Sequence, residues 1–334
     1  MFTRFNMKKI ALWLTAIMFI AFGVAGSIFA LGKSGIPLNW GTNRNNTAES
    51  IARNSGSSEV DQNTSNKADG LKSIDVSSAS ARVNIIPSDT QEVKAHLYGT
   101  TAVVPKLTAN ESGGSLQIKT EYPLEIGVHL NYTSLTLDIE IPKSYSGEFS
   151  GSTVSGPFVI NDFKFEKMSI KSVSGAIKAK NINAGSTTVS TTSGTTDLEN
   201  LSGGLSFKSV SGELNAVLQN SSDKVEISTT SGAMNIKGLV SDFTFSSVSG
   251  ALEADFMSVN GNLKLHSTSG ALHLKLPENS DFDLNYKTTS GGFKSSFPLT
   301  ANSNDKHNVI GTAGKGGHQI QADTVSGALE LIKK

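Results

Sequence analysis

The chain has 334 residues with Lys+Arg and Asp+Glu balanced at 29 each, so no global field draws it to nucleic acid or acidic polymers. Cysteine is absent, which excludes disulfides, thiolate metal sites and a lipid-modified cysteine anchor. The hydrophobic share of 37% is low, and 32 glycines with an excess of Ser, Thr and Asn fill the gap, so stability must come from backbone pairing and packing.

Residues 1–9 carry Arg4, Lys8 and Lys9 ahead of an uncharged run from Ile10 to Leu31. As a helix that run would measure about 33 Å, enough to cross a hydrocarbon core. The basic residues lie only before it, which predicts a cytoplasmic N-terminus and an extracytoplasmic remainder, with residues 10–31 as a single-pass anchor in the cell membrane. The competing reading is a signal peptide cleaved near Ala25-Gly26-Ser27; signal cores run about 7–15 residues, and the longer run here favours a retained anchor. Residues 32–70 are polar with no apolar period and read as a flexible linker with a root-mean-square span of about 35 Å.

Residues 71–145 alternate as irregular β-structure, for example Val93, Ala95, Leu97 and Leu135, Leu137, Ile139, Ile141, punctuated by Pro87, Pro105, Pro123 and Pro142. They are predicted to form the first coils or a cap that shields an exposed strand edge. From residue 146 to 334 a Val/Thr-Ser-Gly unit recurs. Its glycines are Gly156, Gly175, Gly194, Gly212, Gly232, Gly250, Gly270, Gly291 and Gly327, spaced 19, 19, 18, 20, 18, 20, 21 and 36 residues. The last gap reads as two units with one Ser-Gly missing, and the polar stretch 298–317 inside it as a loop.

Each unit is strand, corner, strand. Val225 and Ile227 share one parity, whereas Met234 and Ile236, beyond Ser231-Gly232, share the other. A regular strand cannot change parity without a bend, and glycine permits positive φ at such a corner. One unit cannot bury its own apolar side, but stacked units share a continuous core. The predicted fold is therefore all-β, a single right-handed β-solenoid with a repeat near 19 residues, preceded by one transmembrane helix. The residue before Ser-Gly alternates Val and Thr from Val173 onward, which leaves one or two corners per turn open. Nine single-corner rungs would span about 43 Å and half as many about 20 Å. With two corners per turn, Val173, Val210 and Val248 would stack into an exposed apolar stripe for a docking partner; the opposing reading tucks each valine inward.

Little in the chain points to catalysis, and no catalytic, cofactor or metal residue is assigned. Of the six histidines only His266 and His273 lie close together, with a corner between them and no third ligand for a metal. Glu213 and Glu253 fall at the first and third positions after their corners, out of register for a carboxylate ladder. Asp281 and Asp283 share a strand parity, but paired carboxylates for glycoside cleavage need a cleft about 5–10 Å across, and surface charge explains them more simply. Gly311–Gly317, GTAGKGG, lacks the GxxxxGK[ST] spacing of a phosphate loop and reads as a flexible turn. The abundant serines are explained by corners rather than by a catalytic triad.

Several segments together resemble a known family. They are the basic start and apolar anchor, SIDVSSASARVNIIPSD at 73–89, LTLDIEIP at 135–142, the serial Ser-Gly units and GTAGKGGHQIQADTVSGALEL at 311–331. This ordering resembles the adhesin-type β-strand-repeat family, also called toastrack, including LiaG-like envelope proteins. The resemblance implies a right-handed β-helix outside the bacterial membrane, linked with envelope-stress or membrane-associated systems, and brings no catalytic residues. The expected function is a non-enzymatic envelope scaffold or sensor accessory without a cofactor. It would contact the bilayer through its anchor and engage a membrane protein, a cell-wall polymer or a neighbouring copy. The alternatives are a surface adhesin and, less favoured, a polysaccharide-active β-helix enzyme.

Overall fold

A computed structural model describes residues 57–123, 134–221, 224–305 and 307–334. The anchor at 10–31 lies outside the described residues, and among those described no helix is long and apolar enough to cross a membrane. Every regular element described is a strand. The chain opens with β1 (Ser58–Lys67), β2 (Ser73–Ser78), β3 (Arg82–Ser88), β4 (Glu92–Thr101), β5 (Lys106–Ser112), β6 (Ser115–Glu121) and β7 (Ser134–Pro142). The repeats then give β8 (Glu148–Thr153), β9 (Phe158–Ser172), β10 (Ile177–Thr191), β11 (Thr196–Ser209), β12 (Leu214–Ser221), β13 (Val225–Thr229) and β14 (Ala233–Val240). They continue with β15 (Phe243–Ser247), β16 (Ala251–Val259), β17 (Leu263–Ser267) and β18 (Leu272–Leu276). The chain closes with β19 (Phe282–Thr288), β20 (Phe293–Ser295), β21 (Thr300–Asp305), β22 (Asn308–Ala313), β23 (His318–Thr324) and β24 (Leu329–Lys333).

Strands entering a Ser-Gly corner stack in parallel as one sheet, the leading sheet, in the order β6, β2, β8, then the second halves of β9, β10 and β11, then β13, β15, β17, β23 and β19. Strands leaving the corner form the trailing sheet: β7, β3, the first halves of β9 to β11, β12, β14, β16, β18, β24 and β20. Alternate residues of both sheets point inward and are buried, as Leu263 and Leu265 in the leading sheet and Leu272, Leu274 and Leu276 in the trailing sheet. Burial of each such side chain contributes about 1.5–3 kcal/mol, and the shared columns make the core continuous from lap to lap.

There is one corner per turn. Ser174 N–H donates to Val154 O at 2.8 Å, Ser193 to Val173 O at 2.9 Å and Ser211 to Thr192 O at 2.9 Å, so consecutive corners sit on one another. Val and Thr therefore alternate within a single column, which their nearly identical shapes allow. The corner glycines are needed for close approach more than for a special dihedral. A Cβ on Gly175 would lie 2.1 Å from Gly156 O, and one on Gly194 2.3 Å from Gly175 O. Of the corner glycines only Gly232 has positive φ, at 122°. Three residues before each glycine a Ser or Thr turns inward and bonds the corner: Ser172 Oγ donates to Gly175 O at 2.7 Å, and Gly212 N–H to Ser209 Oγ at 2.7 Å. On the opposite side of the early laps, Asp162, Asn181 and Asn200 take positive φ and form a ladder, Asn181 Nδ2 donating to Asp162 and Asn200 Nδ2 to Asn181. Asp and Asn tolerate that backbone region better than other side chains that carry a Cβ.

Three expectations need correction. First, the last laps do not stack in chain order. β23–β24 is inserted between β17–β18 and β19–β20, with Ser326 bonded to Thr268 O and Ser290 to Val325 O. The 36-residue gap thus hides no degenerate unit. Second, 298–317 is not a simple loop: it contains the hairpin β21–β22, whose second strand pairs antiparallel with β19. Third, part of 32–70 is no linker, because β1 pairs along its length with β4, which in turn pairs antiparallel with β7. In β1 only Val60 is buried, as befits a strand at the sheet margin with one side chain in the core. The segment 71–145 supplies a lap and its cap: β2–β3 is sandwiched between β6–β7 and β8–β9, and β5 covers the β6 margin.

Candidate functional site

The outward face of the trailing sheet carries a polar ladder built from the third residue after each corner glycine. Parallel register brings Lys178, Asp197, Asn215, Asn235, Glu253, His273 and Glu330 into one column. Asn215 Nδ2 donates to Asp197 Oδ1 at 3.1 Å and Asn235 Nδ2 to Asn215 Oδ1 at 2.8 Å. His273 lies between two carboxylates, hydrogen-bonded to Glu253 and 3.6 Å from Glu330. In the adjacent column Lys180 pairs with Glu199 at 2.9 Å, and Lys334 pairs with Asp255. The two columns frame a groove of about 510 Å³ floored by Leu198, Ala216 and Ala254 and walled by Asp197, Glu199, Asn235, Lys237, Glu253 and Asp255. Val217, at 41% exposure, and Lys237, which has no ion-pair partner among the described residues, stand near its centre.

The register places Glu253 on the third residue after its corner, in line with Asp197, whereas Glu213 lies on the first and joins the ladder only by accepting from Asn215 Nδ2 at 3.2 Å. The two glutamates are thus out of register, as the sequence indicates, and the third-residue column holds no two adjacent carboxylates: Asn215 and Asn235 separate Asp197 from Glu253, and His273 separates Glu253 from Glu330. The polar ladder itself could have been read by comparing third residues with one another. His266 and His273 do not approach a common centre: His266 Nδ1 lies 3.4 Å from Asp323 on the leading sheet, and His273 sits on the trailing sheet. Among the described residues no group of three or more His, Asp or Glu side chains is arranged to hold a metal ion.

Asp281, Asp283 and the GTAGKGG turn, which looked unrelated, satisfy one another. Lys315 N–H donates to Asp281 Oδ1 at 2.9 Å, while Thr312 Oγ1 and Gly317 N–H donate to Asp283 at 2.8 and 3.2 Å. These bonds, that from Thr312 first, hold the Asp283 carboxyl below its ordinary pKa. The turn does bind an anion, but the anion is the protein's own. At the other end of the solenoid the Tyr145 hydroxyl donates to Glu148 O at 2.6 Å and Lys72 O at 3.2 Å, and burial, with Asp75 and Glu148 nearby, raises its pKa well above that of a free phenol.

The proposed stripe of Val173, Val210 and Val248 does not exist as drawn. Each valine is half-buried, and Thr192 and Thr230 lie between them in the stack. The corner column is thus a mixed Val/Thr edge in which a threonine follows each valine from Val173 onward, and only Val154 and Val173 are neighbours.

Two parallel stacks of strands, joined lap after lap by Ser-Gly corners, account for most of the described chain from residue 71 onward, and residues 71–331 match the Toastrack DUF4097 family. The chain belongs to that family. No curated protein matches the chain. Among solved structures, this toastrack chain is similar to a Clostridium sporogenes protein named for cell adhesion, at 12% identity over 83% of this chain and 100% of the other, with a TM-score of 0.28. A Parabacteroides distasonis protein named for lipid binding aligns at 14% identity over 81% and 96%, TM-score 0.49. A Bacteroides fragilis protein named as an adhesin aligns at 12% over 82% and 98%, TM-score 0.37.

Proposed function

We propose that this toastrack protein is a non-enzymatic scaffold or accessory of the cell envelope, held at the membrane by residues 10–31, which engages a membrane protein or wall polymer through the trailing-sheet groove. The observation that carries the reading is the state of the groove's carboxylates. Asp197, Glu199, Glu253 and Asp255 are each held by a lysine, histidine or asparagine, so the surface is charged, shaped and fixed before a partner arrives. Preorganisation of that kind favours recognition, because few side chains remain to be ordered on binding. Aromatic platforms for stacking sugar rings are absent from the groove, since neither Tyr nor Trp is among the residues that line it.

The test is to crosslink the full-length chain in intact envelopes and compare it with Asn235→Ala/Lys237→Glu. A membrane protein or wall polymer should be recovered with the native chain and be reduced about tenfold with the variant. The reading is wrong if recovery is unchanged, if the chain binds only surfaces of other cells, as an adhesin would, or if the purified protein releases sugars from wall glycan.

A further inference from the structure

The leading sheet presents a second outer face of different chemistry. Along its middle rungs the hydroxyls of Ser169, Thr188, Ser190, Ser206, Ser228 and Thr244 have no partner among the described residues. Register stacks Lys171, Ser190, Lys208, Ser228, Ser246 and His266 in one outward column, and Thr188, Ser206, Glu226, Thr244 and Lys264 in the next. Among the described residues, Lys171, Lys208, Lys264 and Lys287 have no carboxylate within ion-pairing distance. Acids on this face are engaged: Glu226 by Lys224, Glu148 by Lys167 at 2.7 Å, Asp323 by His266 at 3.4 Å, Asp75 by the Ser115 hydroxyl at 3.0 Å and Asp283 by the Thr312 hydroxyl at 2.8 Å.

The neutral total charge of the chain conceals this segregation. Carboxylates collect on the trailing sheet, where Lys178, Lys180, Lys275 and Lys334 are paired, whereas the leading sheet keeps four lysines without an ion pair among the described residues. We propose that the outer face of the leading sheet binds an extended polyanion, a polymer carrying repeated phosphodiester or carboxylate groups. Lys171 and Lys208 stand two rungs apart, about 9.6 Å, with a hydroxyl rung between them. The ammonium groups meet the anionic charges, and the serine and threonine hydroxyls donate to the intervening oxygens. Each exposed contact is weak and screened by salt, so affinity comes from several rungs acting on one chain. This face is separate from the trailing-sheet groove, and each can fail without the other.

The experiment uses the full-length protein in nanodiscs of zwitterionic lipid. Poly(glycerol phosphate) serves as the phosphodiester probe, hyaluronate as the carboxylate probe and dextran as the neutral polymer, each across a salt series. Binding of either polyanion, weakening with salt, with no dextran binding, is expected, and the polymer preferred names the anionic group. Lys171→Gln/Lys208→Gln should weaken binding about five- to tenfold and flatten the salt dependence, whereas Lys94→Gln/Lys294→Gln, the same charge change on exposed lysines of β4 and β20 on the trailing-sheet side, should leave it unaltered. Absence of binding to both polyanions overturns the proposal, as does equal loss in the two double variants or no loss in the first.

Discussion

A methyl group added at Gly270 would sit 1.9 Å from the carbonyl oxygen of Gly250, whereas one added at Gly292 meets nothing within 4 Å. Since the obstacle at Gly270 is backbone, it cannot swing aside as a side chain would. Gly270→Ala should cost about 1–3 kcal/mol of stability, and Gly292→Ala should change it by less than about 0.5 kcal/mol. Denaturant unfolding of the two variants checks this, and equal effects would refute the close-approach account. The spacing of these glycines could be read from the chain, but their reason could not, because close packing between laps is a property of pairs of laps. The inward hydroxyl three residues before each glycine was legible in principle: Thr153, Ser172, Thr191, Ser209, Thr229, Ser247, Ser267, Thr288 and Thr324 occupy that position without exception. It was hidden by the many serines and threonines around it, whose hydroxyls face solvent.

At the scale of elements, apolar alternation located the strands that send several large side chains into the core and lost those that send one large side chain or only small ones. β1 offers only Val60, and β21–β22 places mainly Val309 and Ala313 inside, so neither stands out from polar loop sequence. What holds the hairpin is polar, and that makes it sensitive to acid. Asp283 has a lowered pKa because Thr312 and Gly317 donate to its ionised form. A depressed carboxyl contributes its full stabilisation above its unfolded value, about 3.9, and loses it as pH falls through the lower folded value. Exchange protection of residues 308–317, corrected for intrinsic rates, should therefore hold from pH 7 to about pH 4 and decline below it. Asp283→Asn should show reduced protection already at pH 7 and no such decline. If the variant and native hairpins share one pH profile, the carboxylate is not what fastens it.

For the whole molecule, nearest-neighbour stacking governs how damage spreads, and the chain's threading decides where it lands. Repeat spacing gives the lap and its core columns, yet it says nothing about lap order, because every lap offers its neighbours the same inward pattern. Thus Ile320 of β23 sits between Leu263 and Leu284, and Leu329 of β24 between Leu272 and Phe293, although the outer partners come earlier in the chain. Deleting residues 318–334 therefore removes an internal lap and not a terminal one. It uncovers β17 and β18 and leaves β19, β20 and the hairpin with no parallel neighbour, Tyr286 losing its bonds to Thr324 and Gly327. Solenoid stability is close to a sum of lap and interface terms, so the loss should stay near this end. Hydrogen exchange on the truncated chain should show protection abolished in β19–β22 and kept in β9–β14. Global unfolding would mean that the laps cooperate over the whole axis. Unchanged protection in β19 would mean that the last lap slides down one rung and docks directly on β17, with Tyr286 packed over Leu265 where Ala322 now intervenes.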